Sequence, residues 1–185
     1  MPRVFLAIPV PKEVHTQIRT LLPEGKLLVR TRPEQLHVTL HFLGTATEAT
    51  TNTLVHGLSS GRTAQFELSL EGLGCFRISE TRGVLWCGLK ACSELQKLQR
   101  SLADQLLSLG LAPETRPWVP HVTIARFNPR QWLELDTLIE QHRSTFLGNF
   151  RVTHFQLYDS VPGPEGSQYS VLNQYPLNGP ESAQP

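Results

Sequence analysis

At 185 residues, with 17 Lys plus Arg against 16 Asp plus Glu and 39% hydrophobic residues, the chain has the makeup of an ordinary globular protein. Its net charge of +1 excludes a protein that coats long nucleic acid through many phosphate contacts, while leaving room for a local basic cleft. No run reaches the roughly 18 apolar residues of a membrane span, and no long apolar leader opens the chain, so a cytoplasmic protein without membrane contact is expected.

Arg3 to Val10 is a compact apolar run closed by Pro9 and Pro11, which predicts a buried strand. Val14, Ile18, Leu21 and Leu22 then recur at helical spacing, predicting a helix from Pro11 to about Leu22. A polar bridge, Arg30 to Glu34, leads into a strand over Leu36 to Leu43 that Gly44 is expected to end. Thr47 is placed to cap a helix through about Ser59. Phe66, Leu68 and Leu70 alternate with Glu67, Ser69 and Glu71, the pattern of a strand with one wet face. Gly72 to Phe76 reads as a turn, and Arg77 to Gly83 as a charged connection before a strand at Val84 to Leu89.

Ser93 is expected to cap the clearest helix, whose stripe of Leu95, Leu98, Leu102, Leu106 and Leu109 ends at Gly110. Pro113, Pro117 and Pro120 stiffen the approach to the next strand. A shorter helix is expected near Gln131 to His142, opened by Asn128-Pro129, and Phe150 to Val161 and Tyr169 to Leu177 read as the last two strands. Gly179 to Pro185 reads as a flexible tail, leaving residues 1–178 as one domain. Cys75, Cys87 and Cys92 are odd in number and lack metal-ligand spacing, so they read as reduced structural thiols.

One short word occurs twice, as His37-Val38-Thr39-Leu40 and His121-Val122-Thr123-Ile124. Alternate side chains of a strand share a face, so each copy sets an imidazole beside a hydroxyl, with its aliphatic residues turned into a core. Two such strands facing each other make a pocket of two histidines and two threonines. The copies lie 84 positions apart in a similar rhythm of strands and helices, which suggests an internal duplication. Several strands follow one another without a helix, so an α+β fold with mixed sheets containing antiparallel pairs is expected.

Two histidines hold one neutral and one protonated ring at once, the requirement for a general base acting with a general acid. A threonine hydroxyl beside each can donate to an anionic oxygen between them. A phosphodiester is the natural reactant for this set. A single His-x-Thr is weak support for catalysis; the repetition carries the reading, and two structural histidines in a duplicated scaffold stay open as the alternative. By strand parity His41 shares a face with His37, which raises a zinc pair. No third ligand is close and the second copy lacks the His-x-x-x-His spacing, so neither metal nor cofactor is expected. No Gly-x-Ser-x-Gly, phosphate-binding Gly-rich loop or cluster of carboxylates occurs.

With Arg3-Val4-Phe5-Leu6-Ala7-Ile8, Arg32-Pro33-Glu34-Gln35-Leu36 before the first motif, and Arg116-Pro117-Trp118-Val119-Pro120 before the second, the chain resembles the 2H phosphoesterase superfamily. Within it the likeness is to the bacterial and archaeal RNA 2',3'-cyclic phosphodiesterases, historically named 2'-5' RNA ligases. The resemblance implies a bilobal, duplicated fold in which two mixed or antiparallel sheets line a central cleft, with helices outside. It implies metal-independent hydrolysis of 2',3'-cyclic phosphate ends of RNA, or of cyclic nucleotides, to 2'-phosphomonoesters by a monomer. In that pattern His37 is the proton donor to the leaving 3'-oxygen, His121 is the acceptor of a proton from water, and Thr39 and Thr123 hold the phosphoryl oxygens.

Arg126 matches a recurrent arginine of the family and is a candidate phosphate contact. Parity counted from His121 puts it on the opposite face, so it reaches the phosphate only if the strand twists or bulges. Phe42 is a candidate for stacking on the terminal base, with core packing as the competing role. Ligation of a 5'-hydroxyl RNA at the same site, and binding of RNA ends without turnover, are the alternative functions.

Overall fold

The apolar run at the start of the chain becomes β1 (Arg3–Pro9), a strand buried on both faces, in a computed structural model that describes residues 3–23, 28–128, 132–163 and 166–179, the side chains of 132–134 excepted. After it come α1 (Lys12–Leu21), β2 (Leu28–Arg30), a 3-10 turn (Pro33–Gln35), β3 (His37–Thr45), α2 (Glu48–Gly57) and β4 (Phe66–Ser79). The chain continues through β5 (Arg82–Leu89), α3 (Ser93–Ser108), β6 (His121–Phe127), α4 (Trp132–Gln141), β7 (Phe146–Val152), β8 (His154–Gly163) and β9 (Gly166–Pro176).

The strands form an open sheet in the order β7-β4-β5-β6-β3-β1-β8-β9, with β2 added beside β6. All pairings between these strands are antiparallel, so the fold is α+β with antiparallel rather than mixed sheets. Two halves are distinguishable. One comprises β3, β1, β8 and β9, the other β6, β5, β4, β7 and β2, and they join through one pair, Val38 with Val122. These halves are not the two halves of the sequence. β8, from the end of the chain, returns to pair with β1 and carries β9 beside it, so the His37 half is built from both ends of the chain, and the His121 half from its middle with β2 added from near the start.

The main core lies on one face of the sheet, where Val4, Leu6 and Ile8 of β1 meet Val38 and Leu40 of β3 and Val122 and Ile124 of β6. Helices cover it; Leu95, Leu98, Leu102 and Leu106 of α3 are all at most 1% exposed. Each such burial contributes about 1.5–3 kcal/mol. Ser93 proves to be the first helical residue rather than the cap: Cys92 holds the cap position and makes no capping side-chain bond. Since a missing cap costs only about 1 kcal/mol, the leucine stripe decides that α3 forms. Thr47 does cap α2, its Oγ1 accepting from the Thr50 amide at 3.2 Å. Cys87 lies within the core, where burial pushes its thiol up to about 12.

Three strand boundaries differ from the sequence reading. β4 does not turn at Gly72 but runs on to Ser79, because Gly72 adopts φ +78° at a register shift between Leu70 and Leu73 and lets the strand continue into a hairpin with β5. Gly44, at φ +72°, is likewise carried inside β3, which reaches Thr45. The segment Phe150 to Val161 is two strands, broken at Thr153, because β7 pairs with β4 while β8 crosses to β1. The Pro129 part of the α4 start and residues 180–185 of the expected tail lie outside the described residues.

Candidate active site

On the face of the sheet opposite the main core, the two motif strands set their polar residues side by side. Val38 and Val122 pair antiparallel, and carrying that register one residue either way puts His37 across from Thr123 and Thr39 across from His121. Val38, Leu40, Val122 and Ile124 are at most 1% exposed on the core side, as alternation requires.

Both imidazoles are anchored alike. His37 Nδ1–H donates to the Gln35 carbonyl at 2.6 Å, and His121 Nδ1–H donates to the Val119 carbonyl at 2.7 Å. In each case the acceptor is the carbonyl two residues upstream, so the tautomer is set with Nε2 as the working nitrogen. Gln35 is itself held by a bond from its Nε2 to the Ser167 carbonyl at 2.6 Å, and Trp118 Nε1 donates to the Thr39 carbonyl at 2.9 Å. The lead-in to each motif is thereby tied to a neighbouring part of the sheet.

Aromatic rings fence each histidine. The His37 ring lies 5.1 Å from Phe5, 5.6 Å edge-on from Tyr169 and 6.2 Å from Tyr158. The His121 ring lies 5.0 Å edge-on from Phe76 and 6.1 Å from Trp86. Phe5, Ala7 and Tyr158 form a small buried cluster of their own beneath His37. Desolvation in these surroundings disfavours the imidazolium, lowering His37 from 6.5 to about 4 against an upward pull from the Gln35 carbonyl; the charges of His121 and Arg126 push in the downward direction too. His121 is lowered as well, chiefly by burial.

The parity argument fails at the same point in both strands. Ala7 pairs with Thr39 and Leu6 with His41, so Leu40 is an extra residue in β3; Trp86 pairs with Thr123 and Leu85 with Ala125, so Ile124 is an extra residue in β6. The fourth residue of each motif is therefore a bulge, and everything beyond it changes face. His41 turns into the core at 3% exposure, where its Nε2–H donates to the Gln99 carbonyl of α3 at 2.8 Å. It does not share a face with His37, which removes the geometric basis for a zinc pair.

Phe42 and Arg126, each five residues after its histidine, are turned out of the core by the same bulges. Phe42 is 46% exposed and stacks on Phe5 at 5.8 Å and 7°, so core packing is not its role. Arg126 is exposed and near enough for its charge to act on His37. Antiparallel crossing at Val38 and Val122 sends the two to opposite ends of the motif pair. Sequence reasoning missed the carbonyl anchors, which any residue type can supply, and the aromatic fence. For Phe5 and Trp86 a signal existed: both alternate with core residues, Leu6 and Leu85, in strands beside a motif strand.

Paired His-x-Thr strands on an open antiparallel sheet agree with the family that the motifs resemble, and the chain belongs to the 2'-5' RNA ligase superfamily, which it matches over residues 9–163. Among its relatives, a protein named RNA 2',3'-cyclic phosphodiesterase from Archaeoglobus fulgidus is 30% identical over 176 residues, covering 94% of this chain and 99% of the relative. One of the same name from Thermotoga maritima is 30% identical and covers 96% of each chain. The fold is similar to apo LigT of Escherichia coli, with TM-score 0.74, 26% identity, and coverage of 95% of this chain and 98% of LigT. It is also similar to the protein TT0787 of Thermus thermophilus, with TM-score 0.76, 26% identity, and coverage of 96% of this chain and 98% of the other.

Proposed function

We propose that this protein hydrolyses 2',3'-cyclic phosphate ends of RNA to 2'-phosphomonoesters through its two histidines and without a metal ion. The observation that carries the reading is the matched pair of Nδ1-anchored imidazoles, each with a threonine two residues on, at the crossing of β3 and β6. The activity in the names of the relatives from Archaeoglobus fulgidus and Thermotoga maritima supports the choice of substrate.

His121 Nε2 takes a proton from water as the water oxygen bonds to phosphorus. The bond from phosphorus to the 3'-oxygen breaks, and His37 Nε2–H delivers the proton that oxygen needs. Thr39 and Thr123 hydroxyls and the Arg126 guanidinium hold the non-bridging oxygens as charge builds on them. Phe42 offers its face to the terminal base. In the ligand-free site burial holds His37 neutral near pH 7; the negative charge of the cyclic phosphate stabilises the imidazolium and draws a proton onto it. The reading includes a single-chain enzyme acting in the cytoplasm.

The test is phosphorus NMR of the product from a cyclic-phosphate-ended RNA in EDTA. A 2'-phosphomonoester formed at an undiminished rate is expected. A 3'-phosphate product, or activity lost in EDTA and restored by a divalent ion, contradicts the reading. A joined product with a 5'-hydroxyl RNA favours the ligase alternative instead.

A further inference from the structure

The two motif strands pair at one place, Val38 with Val122. A second link joins the first motif to the approach of the second: the Trp118 indole Nε1–H donates to the Thr39 carbonyl at 2.9 Å. Little else holds that approach. Among the described residues, 112–119 make no backbone–backbone hydrogen bond, Pro113 and Pro117 have no N–H to offer, and Glu114 to Pro117 are exposed. The indole itself is half-buried against the main core, whereas the next side chain, Val119, is 46% exposed and fastens nothing. Yet the Val119 carbonyl is the acceptor for His121 Nδ1–H, at 2.7 Å. Its place is therefore set by its chain neighbours, Trp118 on one side and Pro120, with its fixed φ, on the other. The anchor of His37 is held differently. Its carbonyl belongs to Gln35, whose own side chain bonds the Ser167 carbonyl of β9, in the same half of the sheet. The anchor of His121 is held instead from the motif strand of the other half.

We propose that Trp118 is a positioning residue for the base: its bond to the Thr39 carbonyl holds the Val119 carbonyl where His121 needs it, and so aims His121 Nε2 relative to Thr39 and His37. The inference rests on the cyclic-phosphate reading above and deepens it. Trp118 acts through the Val119 peptide rather than on the substrate. Without the indole N–H the approach gains slack, the Nδ1 bond loosens, and the His121 ring turns through orientations in which Nε2 misses the attacking water. A displacement of about 1 Å at such a group costs up to about 10²-fold in rate.

The experiment is Trp118→Phe, which keeps an apolar ring against the core and removes the N–H. On a 2',3'-cyclic nucleotide it is expected to lower kcat about tenfold and to leave KM within about twofold. Nitrogen NMR of the neutral imidazoles gives a readout without turnover: the His121 ring should move from the Nδ1–H tautomer toward a mixture of the two, while the His37 ring keeps its tautomer. An unchanged His121 signal, a kcat within about twofold of the unaltered protein, or equal movement of both rings, as general loosening of the fold would give, overturns the proposal. Movement of His121 alone, with no hydrolysis by the unaltered protein, supports the clamp and rejects cyclic-phosphate hydrolysis. If circular dichroism shows Trp118→Phe unfolded, benzothienylalanine at position 118 keeps the bicyclic shape with sulfur in place of the N–H, and the same outcomes decide.

Discussion

Replacing His37 or His121 by Ala is expected to lower kcat/KM on a 2',3'-cyclic nucleotide by about 10²- to 10⁴-fold, the range for a positioned acid or base. Neither ring is needed to complete the core. Each sits on the face of the sheet opposite the main core, held by one bond from Nδ1 to a carbonyl, so the variants should fold and the loss should be chemical. The two losses are separable with a substrate in which sulfur replaces the 3'-bridging oxygen. A sulfur leaving group departs without protonation, so activity should return to His37→Ala and not to His121→Ala. Recovery in His121→Ala alone would exchange the two roles, and full turnover of the ordinary substrate by both variants would end the paired-histidine account.

Arg126→Gln is the second large effect, with kcat/KM expected to fall by about 10²-fold, as when one donor to a developing anion is removed. Simple alternation from His121 sets Arg126 on the wrong face, and only the extra residue at Ile124 brings it round to join His121 and Thr123. Its charge already acts on His37 across the strand crossing. Activity within about twofold of the unaltered protein would leave Arg126 as a surface cation, with Thr39 and Thr123 alone holding the phosphoryl oxygens.

Much of the site was legible because it is local. Each His-x-Thr-x word carries its own alternation, and burial of Val38, Leu40, Val122 and Ile124 follows from it. The leucine stripe of α3 and the Thr47 cap are equally local. The bulges were not legible. An extra aliphatic residue in an aliphatic strand looks like any other, although it reverses the face of every residue after it, which is why His41 and Phe42 exchanged expected places. Nor does a local pattern tell which strand a distant one pairs with; the return of β8 to β1 depends on contacts between residues some 150 positions apart, such as Phe5 with Tyr158. The glycines at 44 and 72 misled for a related reason: a positive φ serves a turn or a bulged strand equally well.

The account turns on two imidazoles that share the work, one charged and one neutral, and the pH dependence of kcat/KM on a cyclic nucleotide tests it most directly, because that ratio reports groups of the free enzyme. Burial disfavours the charged ring, so both histidines release their protons below the ordinary value of 6.5, His37 at about 4. As pH rises past both values both rings are neutral and the acid is lost; below both values both are charged and the base is lost. The expected profile is a bell whose top lies on the acid side of 6.5. A profile that climbs through neutrality to an alkaline plateau would contradict the paired-histidine mechanism.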